Sequence, residues 1–231
     1  MKKKDYKSDL EVAMEKDPAA RNKFEVYFTY GGVRALRRHR VAHWFYNHNM
    51  IFIAKLIAAK TRRVTGVDIH PAAKIAHGVF IDHGVGVVIG ETAEIGTNVV
   101  IYQGVTLGGT GKDTGKRHPT IEDNVMISCG AKVLGPITIG HDTKIGSGSV
   151  VLKDVPPHCT VVGVPGRIVR QNEMKVDNLN QINLPDPMLE EFTRINKRIS
   201  NVEEKLDIHC CKYSIATNVD NKLEEDEKGE E

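Results

Sequence analysis

Residues 89–107 read Ile89-Gly90-Glu91-Thr92-Ala93-Glu94-Ile95-Gly96-Thr97-Asn98-Val99-Val100-Ile101-Tyr102-Gln103-Gly104-Val105-Thr106-Leu107. An aliphatic residue returns at every sixth place: Ile89, Ile95, Ile101, Leu107. The same beat runs back through Ile69, Ile75, Ile81 and Val87, and forward through Ile121, Ile127, Val133, Ile139, Ile145 and Val151. A period of six fits neither an amphipathic helix nor an alternating strand. It marks a hexapeptide solenoid, in which each repeat makes one flat side and turns its aliphatic residue inward. Three sides close one coil, and coils stack at the spacing of paired strands, ~4.8 Å. One repeat cannot bury its own apolar residue, so stacking has to make the core. A sandwich of ordinary strands would instead alternate by two. A second set, four places on, supplies a further row of mostly small or aliphatic residues: Val79, Val85, Val99, Val105, Val125, Ala131 and Ile137.

The beat breaks twice. Val87 and Ile89 are only two apart, which predicts a bulge at a corner. Leu107 and Ile121 are 14 apart, eight more than a repeat needs. The excess, within 108–120, is Gly-rich and basic: Gly108-Gly109-Thr110-Gly111-Lys112-Asp113-Thr114-Gly115-Lys116-Arg117-His118-Pro119. An insertion in a solenoid leaves it as a loop, and such loops commonly carry function.

Charge is unevenly spread. Residues 1–66 hold 15 Lys/Arg against 6 Asp/Glu, residues 67–170 hold 9 of each, and residues 171–231 hold 8 against 15. The basic residues lie on amphipathic helical stretches without a nucleic-acid motif, so nucleic acid is not an expected partner. The apolar run at 51–59 is too short to span a bilayer and contains Lys55. Lys2-Lys3-Lys4 is not followed by the apolar stretch of a signal peptide. Cys129, Cys159, Cys210 and Cys211 show neither metal spacing nor disulfide density. The reading is a reduced, cytoplasmic protein.

Before the solenoid, residues 1–66 predict a small helical domain. Ser8-Asp9-Leu10-Glu11 has capping-box spacing, and Asp17-Pro18 suggests a second helix start. Gly31-Gly32 suggests a break before helices at about 33–46 and 51–64. The solenoid domain spans 67–170, with Pro156-Pro157 closing the last coil and Val161–Arg167 turning the chain back. Residues 171–187 form a linker. Met188, Phe192, Ile195, Ile199, Val202 and Leu206 then follow heptad spacing within a helix at 188–209. That seam fits either a trimeric coiled coil or a helix lying on its own solenoid. Residues 210–231 are an acidic tail of disordered composition.

Asp68-Ile69-His70-Pro71, Ile81-Asp82-His83, Gly90-Glu91-Thr92, the run Gly104–Lys112 and Arg117-His118-Pro119 together resemble the serine O-acetyltransferases, over roughly residues 17 to 170. The resemblance implies a mainly β fold, a left-handed parallel β-helix with an N-terminal helical domain. It also implies homotrimers with sites between solenoids, acetyl-CoA as donor, L-serine as acceptor, no required metal, and L-cysteine as feedback inhibitor. Many members end in an isoleucine that inserts into the next enzyme of the pathway, a sulfhydrylase. This chain ends Gly229-Glu230-Glu231, so the resemblance does not extend to that complex. Only 16 residues precede Asp17, where longer members carry a further helical segment that pairs trimers into hexamers.

Acetyl transfer to a hydroxyl needs a base, and histidine suits neutral pH. His83, after Asp82 at the first break in the beat, matches the family base. Asp68 lies 15 residues earlier, about one coil back, so it is placed to steer the imidazole; a turn cap is the alternative. A zwitterionic acceptor needs anions for its ammonium and cations for its carboxylate. Asp82 and Asp17 match the former, although Asp17 equally suits a helix cap. Arg117 and His118 match the latter, Arg offering a forked grip; an exposed basic loop is the alternative. Cys129 and Ser147, one coil apart, and Lys153, Arg167 and Arg170 near the solenoid's end resemble acetyl-CoA contacts; scattered edge charge is the alternative. His70, His77, His141 and His158 read as structural or solvent-facing. Two rival functions remain: acetyl transfer to a sugar or xenobiotic hydroxyl, in which Asp17, Asp82 and Arg117 grip no zwitterion, and a scaffold in which His83 and Asp68 are dispensable.

Overall fold

The computed structural model describes residues 7–111, 114–171 and 187–205. The beat of six becomes three stacked faces of very short strands. One face stacks β1 (Asp68–Ile69), β4 (Val88–Ile89), β7 (Thr106–Gly108), β10 (Lys132–Leu134) and β13 (Val150–Val151). The second stacks β2 (Lys74–Ile75), β5 (Glu94–Ile95), β8 (Thr120–Ile121) and β11 (Thr138–Ile139). The third stacks β3 (Phe80–Ile81), β6 (Val100–Ile101), β9 (Met126–Ile127), β12 (Lys144–Ile145), β14 (Cys159–Val162) and β15 (Arg167–Gln171). All pairings are parallel except β14 with β15, the hairpin that turns the chain back.

The register shows how each break is absorbed. Ile95 pairs with Ile121 and Ile101 with Ile127, so the eight-residue insertion leaves the coil between two aligned turns. Ile69 pairs with Ile89, making the first coil two residues longer than the eighteen between Ile121 and Ile139. This corrects the sequence register at one point. Val87 is fully buried but belongs to the second inward row, two places before Ile89, with Val67, Val79 and Val99. Val85, expected in that row, is 67% exposed. The inward residues from Ile69 to Val161 form one continuous core. Each fully buried aliphatic side chain contributes about 1.5–3 kcal/mol.

Four helices precede the solenoid: α1 (Asp9–Lys16), α2 (Lys23–Thr29), α3 (Gly31–Asn47) and α4 (Ile51–Thr65). The capping box at Ser8 and Glu11 is present. Asp17-Pro18 makes a turn rather than a helix start, and Asn22 caps α2 instead. Gly31-Gly32 opens α3 rather than breaking the chain. A Cβ on Gly32 would lie 2.0 Å from the Ile81 carbonyl oxygen, so the glycine is needed for the helix to approach the third face. Phe80, Val100 and Met126, which point outward from that face, are buried against Val12, Ala13, Val26 and Val33. This packing carries Asp17 to the solenoid edge. Pro156-Pro157 does not end the solenoid, because Cys159–Val162 pair onto β12 for one more pass.

The residues from Met188 form a separate unit. It holds α5 (Pro187–Lys205), on which Phe192, Ile195, Ile199 and Val202 are all at least 40% exposed. Of the expected linker at 171–187, Gln171 belongs to β15 and Pro187 to α5; residues 172–186, Leu206 of the seam, and the acidic tail lie outside the described residues.

Candidate active site

His83 sits in the corner that holds the two extra residues. On the other coils this corner turns on a single glycine with positive φ, as at Gly104, Gly130 and Gly148. Here the chain passes through His83 (φ 55°), Gly84 and Gly86, and the Gly84 N–H donates to the Asp82 carbonyl at 2.6 Å. A left-handed conformation in a non-glycine residue costs roughly 1–2 kcal/mol. It lifts the imidazole off the surface: the His83 side chain is 75% exposed, with Nε2 3.9 Å from Asp82 Oδ1. Asp82 itself is largely covered.

Asp17 reaches this edge on the turn after α1. Its Oδ1 accepts the Ala19 N–H at 2.8 Å and its Oδ2 accepts the Tyr30 hydroxyl at 2.5 Å. The carboxylate therefore orders its own turn instead of capping a helix start, and it is tied to Tyr30 at the head of α3. The Tyr30 hydroxyl is pushed up to about 12, chiefly by its bond to Asp17, with burial next and the charges of Asp17, Glu25 and Asp82 adding. Tyr30 stays a neutral donor that holds the carboxylate in place. Sequence reasoning missed it, since nothing in its spacing distinguishes it from a packing aromatic.

Arg117 and His118 lie elsewhere, on the corner between the first and second faces. They line a cavity of about 450 Å³ together with Arg62, Asp68, His70 and Glu91. Thr92 organises this end of the inserted loop. Its Oγ1 accepts the N–H groups of Arg117 (3.0 Å) and His118 (3.1 Å) and lies 2.9 Å from His118 Nδ1, which also accepts the Thr92 N–H at 3.2 Å. Nδ1 is therefore an acceptor, and Nε2 carries the proton in the neutral ring. Burial first, then Arg117, holds the His118 pKa below its ordinary value. The Arg117 guanidinium donates to Glu91 at 2.6 Å. Glu91 and Thr92 stand in the quoted motif, but their spacing gave no sign of these contacts.

Asp68 shares the cavity of Arg117 and His118 and donates nothing to the steering of His83 within one chain. Its carboxylate accepts from Arg62 at 3.1 Å. The reason is register. The lengthened coil pairs Asp68 with Val88, five residues beyond His83.

Cys129 and Ser147 do stack across one coil: the thiol donates to the Ser147 hydroxyl at 3.2 Å, and Gly148 N–H bonds the Cys129 carbonyl. Lys153 follows β13 and is exposed; Arg167 and Arg170 lie exposed on β15. A bond from Gly166 N–H to the Val150 carbonyl at 2.7 Å draws the β14–β15 turn onto β13. No helix among the described residues is long and apolar enough to cross a membrane.

A parallel solenoid with an exposed histidine beside a carboxylate, and a basic loop thrown out of the coil, defines a hexapeptide-repeat acyltransferase. The family model described as "Bacterial transferase hexapeptide (six repeats)" matches residues 118–153. A serine acetyltransferase of Bacillus pumilus (strain SAFR-032) is 54% identical over 201 residues, covering 87% of this chain and 93% of that protein. The chain belongs to the serine acetyltransferase family. The solved serine acetyltransferase (CysE) of Neisseria gonorrhoeae in complex with serine has a TM-score of 0.68 at 45% identity, over 70% of this chain and 66% of that one. A serine acetyltransferase in complex with CoA has a TM-score of 0.66 at 43% identity, over 70% and 66%. The shared fold is the left-handed parallel β-helix.

Proposed function

We propose that this chain transfers the acetyl group of acetyl-CoA to the hydroxyl of L-serine, giving O-acetyl-L-serine and CoA, with His83 as general base. The observation that carries the reading is His83 itself: an imidazole raised by a left-handed corner, beside the covered carboxylate of Asp82. The imidazole takes the hydroxyl proton as the serine oxygen attacks the thioester carbon. The tetrahedral intermediate collapses with cleavage of the C–S bond, and the proton passes to the departing thiolate. General base catalysis of this kind supplies about 10²–10⁴-fold. Asp17 and Asp82 receive the serine ammonium; Arg117 and His118 receive its carboxylate. Cys129, Ser147, Lys153, Arg167 and Arg170 line the path of acetyl-CoA, the cations toward its phosphates.

The placement of these groups supports a homotrimer. Asp17, Asp82 and His83 occupy the corner between the third and first faces, while Asp68, Arg117 and His118 lie on the first face and its far corner. One chain therefore carries two half-sites at opposite corners, and a molecule as small as serine cannot touch both. Two solenoids set side by side bring one chain's His83 corner to its neighbour's Arg117 corner. Asp68 then steers His83 across that boundary. L-cysteine carries the same ammonium and carboxylate as serine and competes for the same clamp. The setting is a reduced cytoplasm, consistent with the free Cys129 and Cys159.

The test is thiol release from acetyl-CoA with L-serine, against sugars and other amino acids. Saturation by a sugar and not by serine selects the acceptor class with no zwitterion, and overturns the reading.

A further inference from the structure

Remote from the acyl-transfer residues, three side chains converge on the corner between the second and third faces. That corner is a column of residues with positive φ, one per coil: Gly78, Asn98, Asn124, Asp142 and His158. In the middle coils the column is joined by amides, with Asn98 Nδ2 donating to Asn124 Oδ1 at 2.8 Å. In the last two coils its chemistry changes to a carboxylate and an imidazole, with a second imidazole, His141, just before Asp142. Asp142 Oδ2 is 2.8 Å from His141 Nδ1 and 3.8 Å from His158 Nδ1. The two rings stand edge to face with centroids 4.8 Å apart. One ligating atom from each residue lies within 4.8 Å of the other two. The backbone beneath is fixed by the solenoid: Asp142 N–H bonds the Asp123 carbonyl, and His158 N–H bonds the His141 carbonyl.

We propose that His141, Asp142 and His158 form a binding site for one divalent transition-metal ion, of the zinc, cobalt or nickel kind, that ties the last two coils together. Two imidazoles and a carboxylate are the donor set such ions take, at bonds of ~2.0–2.2 Å. The three side chains are 43–48% exposed, which leaves them room to turn toward one ion. Three protein donors leave the outer positions to water, as the half-exposed setting allows. The location fits a staple. The final pass meets the second face at one isolated backbone bridge, Ile139 to Val155, with the Asp154 carboxylate accepting the Thr138 N–H beside it, and Pro156-Pro157 offers no N–H groups there. His83 lies on a different corner and about three coils away along the axis, a rise of roughly 14 Å at ~4.8 Å per coil, so the ion does not touch the reacting atoms.

The full chain is stripped with a chelator and titrated at neutral pH with zinc chloride by calorimetry, and with cobalt(II) by visible absorption. Because His209-Cys210-Cys211 offers thiolates of its own, the parent carries Cys210→Ser and Cys211→Ser. The expected result is one ion per chain, a zinc-dependent rise in Tm, and at least tenfold weaker binding in His141→Gln/His158→Asn. Asparagine tolerates the left-handed corner, and unchanged acetyl transfer by metal-free parent and variant shows that both are folded. No saturable binding to the parent, or equal zinc affinity and Tm response in parent and variant, overturns the proposal.

Discussion

Gly90 shows how one methyl group tests the clamp. Its φ is ordinary, so no conformational need keeps a glycine there; the need is space. A Cβ at residue 90 would lie 1.9 Å from His118 Cδ2, 2.1 Å from Nε2 and 2.8 Å from Cγ. The imidazole lies flat on the backbone of β4's exit and must move by more than an ångström to admit Gly90→Ala. Moving it breaks the two bonds that Thr92 makes to Nδ1. At about 1 kcal/mol each, plus about 1–3 kcal/mol for overpacking, the variant loses about 3–5 kcal/mol of stability. The functional loss is separable from this. If His118 bonds the substrate carboxylate, removing that charged contact costs about 1.5–3 kcal/mol, or about 10–150-fold in kcat/KM for serine. The KM for acetyl-CoA stays unchanged. Steady-state kinetics at saturating acetyl-CoA, below the variant's unfolding temperature, makes the measurement. A folded Gly90→Ala protein with kcat/KM for serine within twofold of the parent would refute the role given to His118.

Tyr30→Phe removes the 2.5 Å bond to Asp17; the expected result is a several-fold rise in serine KM with acetyl-CoA KM unchanged, and parent-like serine KM argues against Asp17 as an ammonium site. His39 is buried with its Nε2 on the Ala73 carbonyl, and burial, then His43, lowers its pKa from 6.5 to about 4. Its folded form resists the proton, so its contribution is complete above about pH 6.5 and is lost as pH falls toward 4. The loss is about 3 kcal/mol, and denaturant titrations of His39→Gln should show a flatter acid limb than the parent. Deleting residues 188–231 should weaken the trimer in sedimentation if the seam of α5 joins copies; an unchanged assembly counts against that seam.

The solenoid was legible because its core repeats. Each inward residue reports the same environment six places on, so Ile89, Ile95 and Ile101 announce one another. The corner proposed as catalytic stood out for the opposite reason, as the place where the beat fails: His83 stands in the two surplus residues and Arg117-His118 in the eight. What stayed hidden depends on contacts between distant residues. Val85 and Val87 are both aliphatic, and only the pairing of Ile69 with Ile89 decides which faces inward. Asp68 lies 15 residues before His83, short of a full coil; it pairs with Val88, and Arg62 holds its carboxylate away from His83. Thr92, Glu91 and Tyr30 act through side chains 13 to 26 residues away, a range at which composition and period carry no signal. Gly31-Gly32 was misread because a glycine required by close helix packing looks the same in sequence as one required by a turn.

The most direct measurement compares the parent with His83→Ala for thiol release from acetyl-CoA in the presence of L-serine. The side chain is exposed and its carbonyl, not its ring, faces Gly31, so the variant should fold. Its turnover should drop by about 10²–10⁴-fold, with serine still saturating near the parent's concentration. Equal turnover by the two proteins would mean that some other group takes the proton.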